Sequence, residues 1–185
     1  MVAEQGQVKT DELDPQAEAR RRLALAQIRQ YPDPVLRLPS HEVEDFDDDL
    51  AQLVERMMRL MQDARGVGLA ANQVGVLRRV FILQADEDEE PQALVNPAVV
   101  ERSKDAEADD EGCLSLQGVV VPIERPSSIR LEARDASGSP VELELEGLAA
   151  RVAQHEVDHL DGVLIIDRTT PEGRREALSV LRQAV

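Results

Sequence analysis

Six consecutive residues, Gln154-His155-Glu156-Val157-Asp158-His159, set two imidazoles four positions apart around a glutamate. On a helix, residues four apart stand one above the other. His155 and His159 can therefore each turn a ring nitrogen toward one metal ion. Glu156, the next residue round the helix, then reaches a water bound to that ion. The form H-E-x-x-H thus supplies two ligands and a general base in one short segment. The chain has three histidines, and two of them fall in this pattern, which makes a chance surface pair the weaker reading. The third, His41, has no ligand-type neighbour in register and reads as an exposed loop residue.

Two ligands do not hold a catalytic ion; three protein ligands with one open position do. No histidine follows His159, and Glu172 and Glu176 lie in a segment that reads as a separate terminal helix. Cys113 is the sole cysteine, in Asp110-Glu111-Gly112-Cys113-Leu114-Ser115-Leu116. Alone, a single cysteine is a small buried apolar residue. Beside two histidines that lack a third partner, a thiolate ligand is the better reading. Two neutral imidazoles and one thiolate leave a divalent ion with a net charge of about +1, enough to lower the pKa of bound water toward neutral. The chemistry is metal-assisted hydrolysis of an amide-like carbonyl. Gln73 offers a neutral amide donor for a developing oxyanion, or else a bond to its own loop. Gly66 and Gly68 allow a ligand to approach the backbone closely. A phosphate loop is weakly supported there, because no Lys-Ser/Thr pair follows.

Three stretches in order carry a family resemblance. Gly66-Val67-Gly68-Leu69-Ala70-Ala71-Asn72-Gln73 resembles the G-x-G-L-A-A-x-Q motif of the peptide deformylases. Glu111-Gly112-Cys113-Leu114-Ser115 is similar to their second motif, and residues 154–159 to their third. The likeness covers roughly residues 28 to 170, and three co-ordered motifs are far more specific than one. It implies a hydrolase that removes the N-formyl group from the N-terminal methionine of newly synthesised proteins, in the cytoplasm. It implies Cys113, His155 and His159 as ligands of Fe2+, with Zn2+, Ni2+ or Co2+ as substitutes. Glu156 is then the base that activates water and the acid that serves the departing amine, and Gln73 and the Leu114 N–H are the oxyanion donors. By motif position Val67, Leu148 and Val152 line an apolar pocket for the methionine side chain. Arg151 packs its stem there while its head reaches solvent. The backbone near Gly66, Gly68 and Gly118 pairs with the substrate main chain. Glu111 and Asp158 read as acids that orient the ligands, or as plain surface carboxylates.

The chain departs from the family pattern at Leu116-Gln117, where an apolar residue and a proline are common, and at Ile165-Ile166, where an aromatic is common. An arginine that some members carry downstream of the cysteine has no clear match. These differences bear on substrate range more than on the reaction. A general zinc peptidase and a non-catalytic domain with a structural metal are the competing readings; an intact Glu156 and Gln73 speak against the latter. Ribosome contact through a basic terminal helix is weakly supported, since Arg174, Arg175 and Arg182 alternate with Glu172 and Glu176.

The elements that must position these groups follow from pattern. The chain has 185 residues, 42% of them apolar, which suits one domain with a real core. With 21 basic and 37 acidic residues the net charge is −16, a surface that repels phosphate backbones, so no direct nucleic-acid partner is expected. No apolar run approaches a membrane span, and one cysteine suits a reducing interior. Residues 1–26 are polar and read as a flexible or loosely helical extension, with residues 27–185 as a single domain. Its acids, among them Glu4, Asp11 and Glu18, do not fit a transit peptide. Residues 28–40, with three prolines, predict an irregular arm. Asp47-Asp48-Asp49 predicts a helix start, followed by Leu50, Leu53, Val54, Met57, Leu60, Met61 and Ala64 at helical spacing. Strands are predicted at residues 80–83, at 94–100 with a bend at Pro97, and around 119–121. Residues 86–90 and 103–111 read as acidic turns. Alternation over residues 129–134 and 141–146 predicts a hairpin with one wet face. A helix from Gly147 to Gly162 carries the histidines, residues 164–166 predict a short strand, and 171–183 a terminal helix. The resulting fold class is α+β: mixed, mostly antiparallel small sheets packed around a central metal-binding helix, with an N-terminal and a C-terminal helix.

Overall fold

The computed structural model describes residues 14–183, so the first half of the polar extension lies outside the described residues. The second half is a regular helix, α1 (Pro15–Leu25), started by Asp14, whose carboxylate accepts from the Gln16 and Ala17 N–H groups. Its last turn buries Ala24 and Leu25. The proline-rich arm follows and contains a single 3-10 turn, Pro34–Arg37, pinned by the Asp33 side chain on the Val35 N–H. Helix α2 (Asp48–Asp63) is capped by Asp47 on the Leu50 N–H, and it buries Leu50, Leu53, Val54, Met57, Leu60 and Met61. Both buried methionines are core residues.

Among the described residues, seven strands form two sheets. The larger runs β1 (Gly68–Ala70), β2 (Val80–Leu83), β3 (Gln92–Arg102), β6 (Ser128–Arg134) and β7 (Pro140–Glu146), in that order and antiparallel throughout. The bend at Pro97 is a register shift between Val95 and Ala98, with Asn96 at φ 50°. The smaller sheet pairs β4 (Ala106–Gly112) with β5 (Val120–Pro126). The acidic turn predicted at residues 103–111 is therefore mostly a strand. Aspartate and glutamate have poor strand preference, and here the partner strand supplies the pairing that local sequence does not.

Helix α3 (Gly147–Leu160) carries both motif histidines and is buried on most of its circumference. It touches the larger sheet on one side and β5 on the other. Gly162 ends it at φ 74°, where a side-chain carbon would meet the Arg37 carbonyl oxygen at 2.5 Å. The strand predicted at residues 164–166 is instead the start of a short helix, α4 (Ile165–Arg168). A three-residue apolar run that is buried on all sides does not reveal its own period. Helix α5 (Pro171–Gln183) spans the predicted residues.

Three apolar clusters hold these pieces. One joins α1, α2, β1 and β2. A second surrounds Cys113 with Leu116, Val119, Val121 and Ile123, and with Leu164, Ile165, Ile166 and Ala177 from the C-terminal helices. The third packs α3 on the larger sheet. The architecture is the α+β arrangement that the sequence predicts. No helix among the described residues is long and apolar enough to cross a membrane.

Candidate active site

Cys113 directly follows β4, and His155 and His159 project from successive turns of α3. The Cys113 sulfur and one nitrogen of each ring lie within 4.8 Å of one another, and all three side chains are buried. Among the described residues this is the one such grouping of potential metal ligands. The sulfur is 3.2 Å from His159 Nε2. The two rings meet edge to face, with centroids 4.9 Å apart. The Ser115 N–H points at the sulfur from 3.4 Å, as it would at a thiolate. His155 Nδ1 lies 3.1 Å from Glu111 Oε2, so its N–H donates to the carboxylate, and in the neutral ring that binds a metal Nε2 keeps its lone pair. One soft thiolate and two imidazoles make a donor set that fits a divalent transition metal. Glu156 Oε2 is buried beside them with no hydrogen-bond partner among the described residues, which suits a water or substrate at that place.

Glu111 sits at the centre of a buried ionic cluster. Arg125 grips it through Nε at 2.5 Å and Nη2 at 2.9 Å, and extends Nη1 to Asp158 at 2.9 Å. Arg168 clasps the same Asp158 at 2.6 and 3.1 Å. Burial alone would raise the Glu111 carboxyl, but the bonds from His155 and Arg125 more than offset it and hold the group well below the usual carboxylate range. Burial likewise works against the His155 imidazolium, yet its contacts with Cys113 and Glu111 raise its affinity for a proton. His159 moves the other way, pushed down by burial and then by His155. Glu156 is pushed up to about 7, first by burial.

Arg151 departs from expectation. Its head does not reach solvent: Nη1 donates to Glu111 Oε1 and the Ile123 carbonyl, both at 2.9 Å, and Nη2 to the Glu107 carbonyl at 2.7 Å. A nearby buried carboxylate outcompetes water for the guanidinium. Arg151 therefore braces the small sheet against α3.

Gln73 lies in a 3-10 turn, Ala71–Val74, directly after β1. Its Oε1 accepts the Ala70 N–H at 2.9 Å, which turns the amide nitrogen toward Ser115 Oγ at 3.0 Å and Cys113 Sγ at 3.8 Å. Gly68 packs directly on Glu156: a side-chain carbon there would stand 2.3 Å from Glu156 Oε1 and 2.8 Å from Val152 Cγ1. One at Gly66 would meet Leu114 Cδ1 at 2.8 Å. The first motif thus lies against residues of the other two. Val67, Leu148 and Val152 share the apolar cluster around α3. Gly118 is exposed and faces Val180 of α5.

The sequence model of polypeptide deformylases matches residues 25–175. The chain belongs to the peptide deformylase family. It is 43% identical over 162 residues to peptide deformylase 1 of Corynebacterium glutamicum, covering 86% of this chain and 96% of that one. It is 46% identical over 162 residues to the peptide deformylase of Acidothermus cellulolyticus, covering 88% of each. Among solved structures, the peptide deformylase of Thermotoga maritima superposes with a TM-score of 0.75 at 46% identity, over 78% of this chain and 97% of that one. That of Ehrlichia chaffeensis, solved in complex with actinonin, gives 0.81 at 33% identity, over 85% and 96%.

Three residues that touch this candidate site have no role in the sequence reading: Arg125, Ser115 and Gln30. Arg125 had a readable signal. It follows Val121 and Ile123 at the inward positions of β5, and an arginine in that register requires a buried acid. Gln30 had none, because its partner Leu114 lies 84 positions away, and the side-chain partner of Ser115, Gln73, lies 42 positions away.

Proposed function

We propose that Cys113, His155 and His159 hold a catalytic divalent ion, Fe2+ in the native protein, and that Glu156 moves the proton in the deformylation this family performs. The reaction is hydrolysis of the N-formyl amide on an N-terminal methionine. When bound, the ion supplies Lewis-acid polarisation of the formyl oxygen and acidifies water. Glu156 takes the proton from the attacking water, whose oxygen bonds to the formyl carbon. It then delivers that proton to the nitrogen as the C–N bond breaks, releasing formate and a free amine. A carboxyl held near neutrality by burial suits both roles. The Gln73 amide and the Leu114 N–H donate to the oxyanion.

The fold supports a placement for the substrate. Strand β1 is an edge strand, so an extended peptide can pair along Gly66 to Gly68. Val67, Leu148 and Val152 offer the methionine side chain an apolar seat. The substrates are the formylated N-termini of nascent chains, and we assign the activity to the cytoplasm. Ribosome docking through α5 forms no part of this reading, because Arg174 and Arg175 are paired with Asp167 and Glu172.

The convergence of one sulfur and two ring nitrogens within 4.8 Å, with Glu156 buried alongside, carries the proposal. The deciding assay is formate release from a formyl-Met peptide, run against the same peptide with a free or acetylated amine. Glu156→Ala should retain the metal and lose turnover by about two to four orders of magnitude. Near-full turnover in that variant would sink the assignment.

A further inference from the structure

We propose that Arg29-Gln30-Tyr31, in the arm before the first motif, is a strap that sets the two oxyanion donors relative to each other, with Gln30 as its positioning residue. The inference rests on the reading of Gln73 and Leu114 as those donors. Three consecutive residues of the arm reach both donor segments. The Arg29 N–H donates to the Gln73 carbonyl at 2.7 Å. Gln30 Nε2 donates to the Leu114 carbonyl at 2.9 Å, across 84 positions of sequence. The Tyr31 N–H donates to the Ser115 carbonyl at 2.8 Å.

The bond to Leu114 has a specific effect. The Leu114 N–H lies in the peptide plane it shares with the Cys113 carbonyl, and that carbonyl accepts from the Leu116 N–H at 3.0 Å. The plane on the other side of the Leu114 Cα is the one Gln30 holds. With both planes pinned, neither torsion of Leu114 is free, and its N–H direction is fixed. On the second donor, the Arg29 bond fixes the backbone turn from which the Gln73 side chain projects toward Ser115. The strap is itself anchored on both sides, by buried Ile28 and buried Leu36. Loss of the Gln30 side chain therefore leaves the arm docked through its backbone bonds.

Gln30→Met keeps the length and the apolar stem and removes the amide, and with it the donor to Leu114. It should lower kcat for formate release roughly tenfold, a loss typical of a misplaced group rather than a missing one. KM for the formyl-Met peptide, metal content and thermal midpoint should stay at wild-type values. In a Gln73→Met background the same substitution should cost markedly less, since only one donor then remains to be placed. An unchanged kcat in Gln30→Met, a kcat loss matched by metal loss, or full additivity with Gln73→Met would each overturn the strap. If Gln73→Met alone left the rate untouched, the donor reading of Gln73 would fall, and the strap with it. A large Gln73→Met effect beside a silent Gln30→Met would reject the strap alone.

Discussion

At Glu111 one carboxylate serves Arg125, Arg151 and the His155 ring at once. It fixes which nitrogen of His155 carries the proton, and so which is free to bind an ion. Glu111→Gln keeps the shape but cannot accept from all three. Metal affinity should fall about 10- to 100-fold, read by competition with a chelator. Arg125→Met leaves buried Glu111 with only Arg151 and the His155 ring, and Asp158 with Arg168. Unfolding in urea should show a loss of ~3 kcal/mol, at the low end for a broken buried pair. Glu156 gives a pH signature in the metal-free protein. Its carboxyl is raised from 4.5 to about 7 in the folded state. The protonated acid favours folding below the unfolded value, and that contribution disappears as pH rises through the folded one. Above that range the ionised group costs about 3 kcal/mol. Metal-free Glu156→Gln should therefore be the more stable protein at about pH 8, and the gap should largely close by about pH 5. Gly68→Ala pushes a methyl into the Glu156 carboxylate and Val152. It should lower kcat while the metal is retained, with a stability cost of about 1–3 kcal/mol.

Helix α5 and the short α4 form the outer wall of the cluster that contains Cys113. Ala177, a buried residue of α5 within that cluster, should not tolerate a charge. Ala177→Asp is expected to lower both the thermal midpoint and metal occupancy, because the loop that presents the sulfur loses its backing. The elements that sequence revealed are those whose signals are local. Asp47 caps α2 as its position suggests, the β6–β7 alternation gives a hairpin, and α3 and α5 begin and end near their glycine and proline markers. The proposed metal ligands and Glu156 stand out in the sequence for the same reason: each motif carries its meaning in a few neighbouring residues. Strand β4 was not, since five of its seven residues are exposed and mostly acidic, and only pairing with β5 makes it a strand. Arg151 was misplaced for a related reason. Its sequence neighbours say nothing of Glu111, which lies 40 positions away.

At the scale of the whole molecule, a net charge of −16 on 185 residues means that the folded surface repels itself. Raising ionic strength roughly tenfold should increase the thermal midpoint by a few degrees through screening alone. The same charge disfavours retention on an anionic matrix. The contacts that assemble the site are long in sequence: 46 positions separate Cys113 from His159, and 84 separate Gln30 from Leu114. This has a consequence for biogenesis. Closing such long loops is slow and must precede any reward from the contacts they bring. A chain halted on its way through synthesis before α3 has emerged owns a cysteine and an arm but no cage. The part made first waits on the parts made last, so ion capture comes at the end of maturation, and a stalled fragment that lacks α3 is inert.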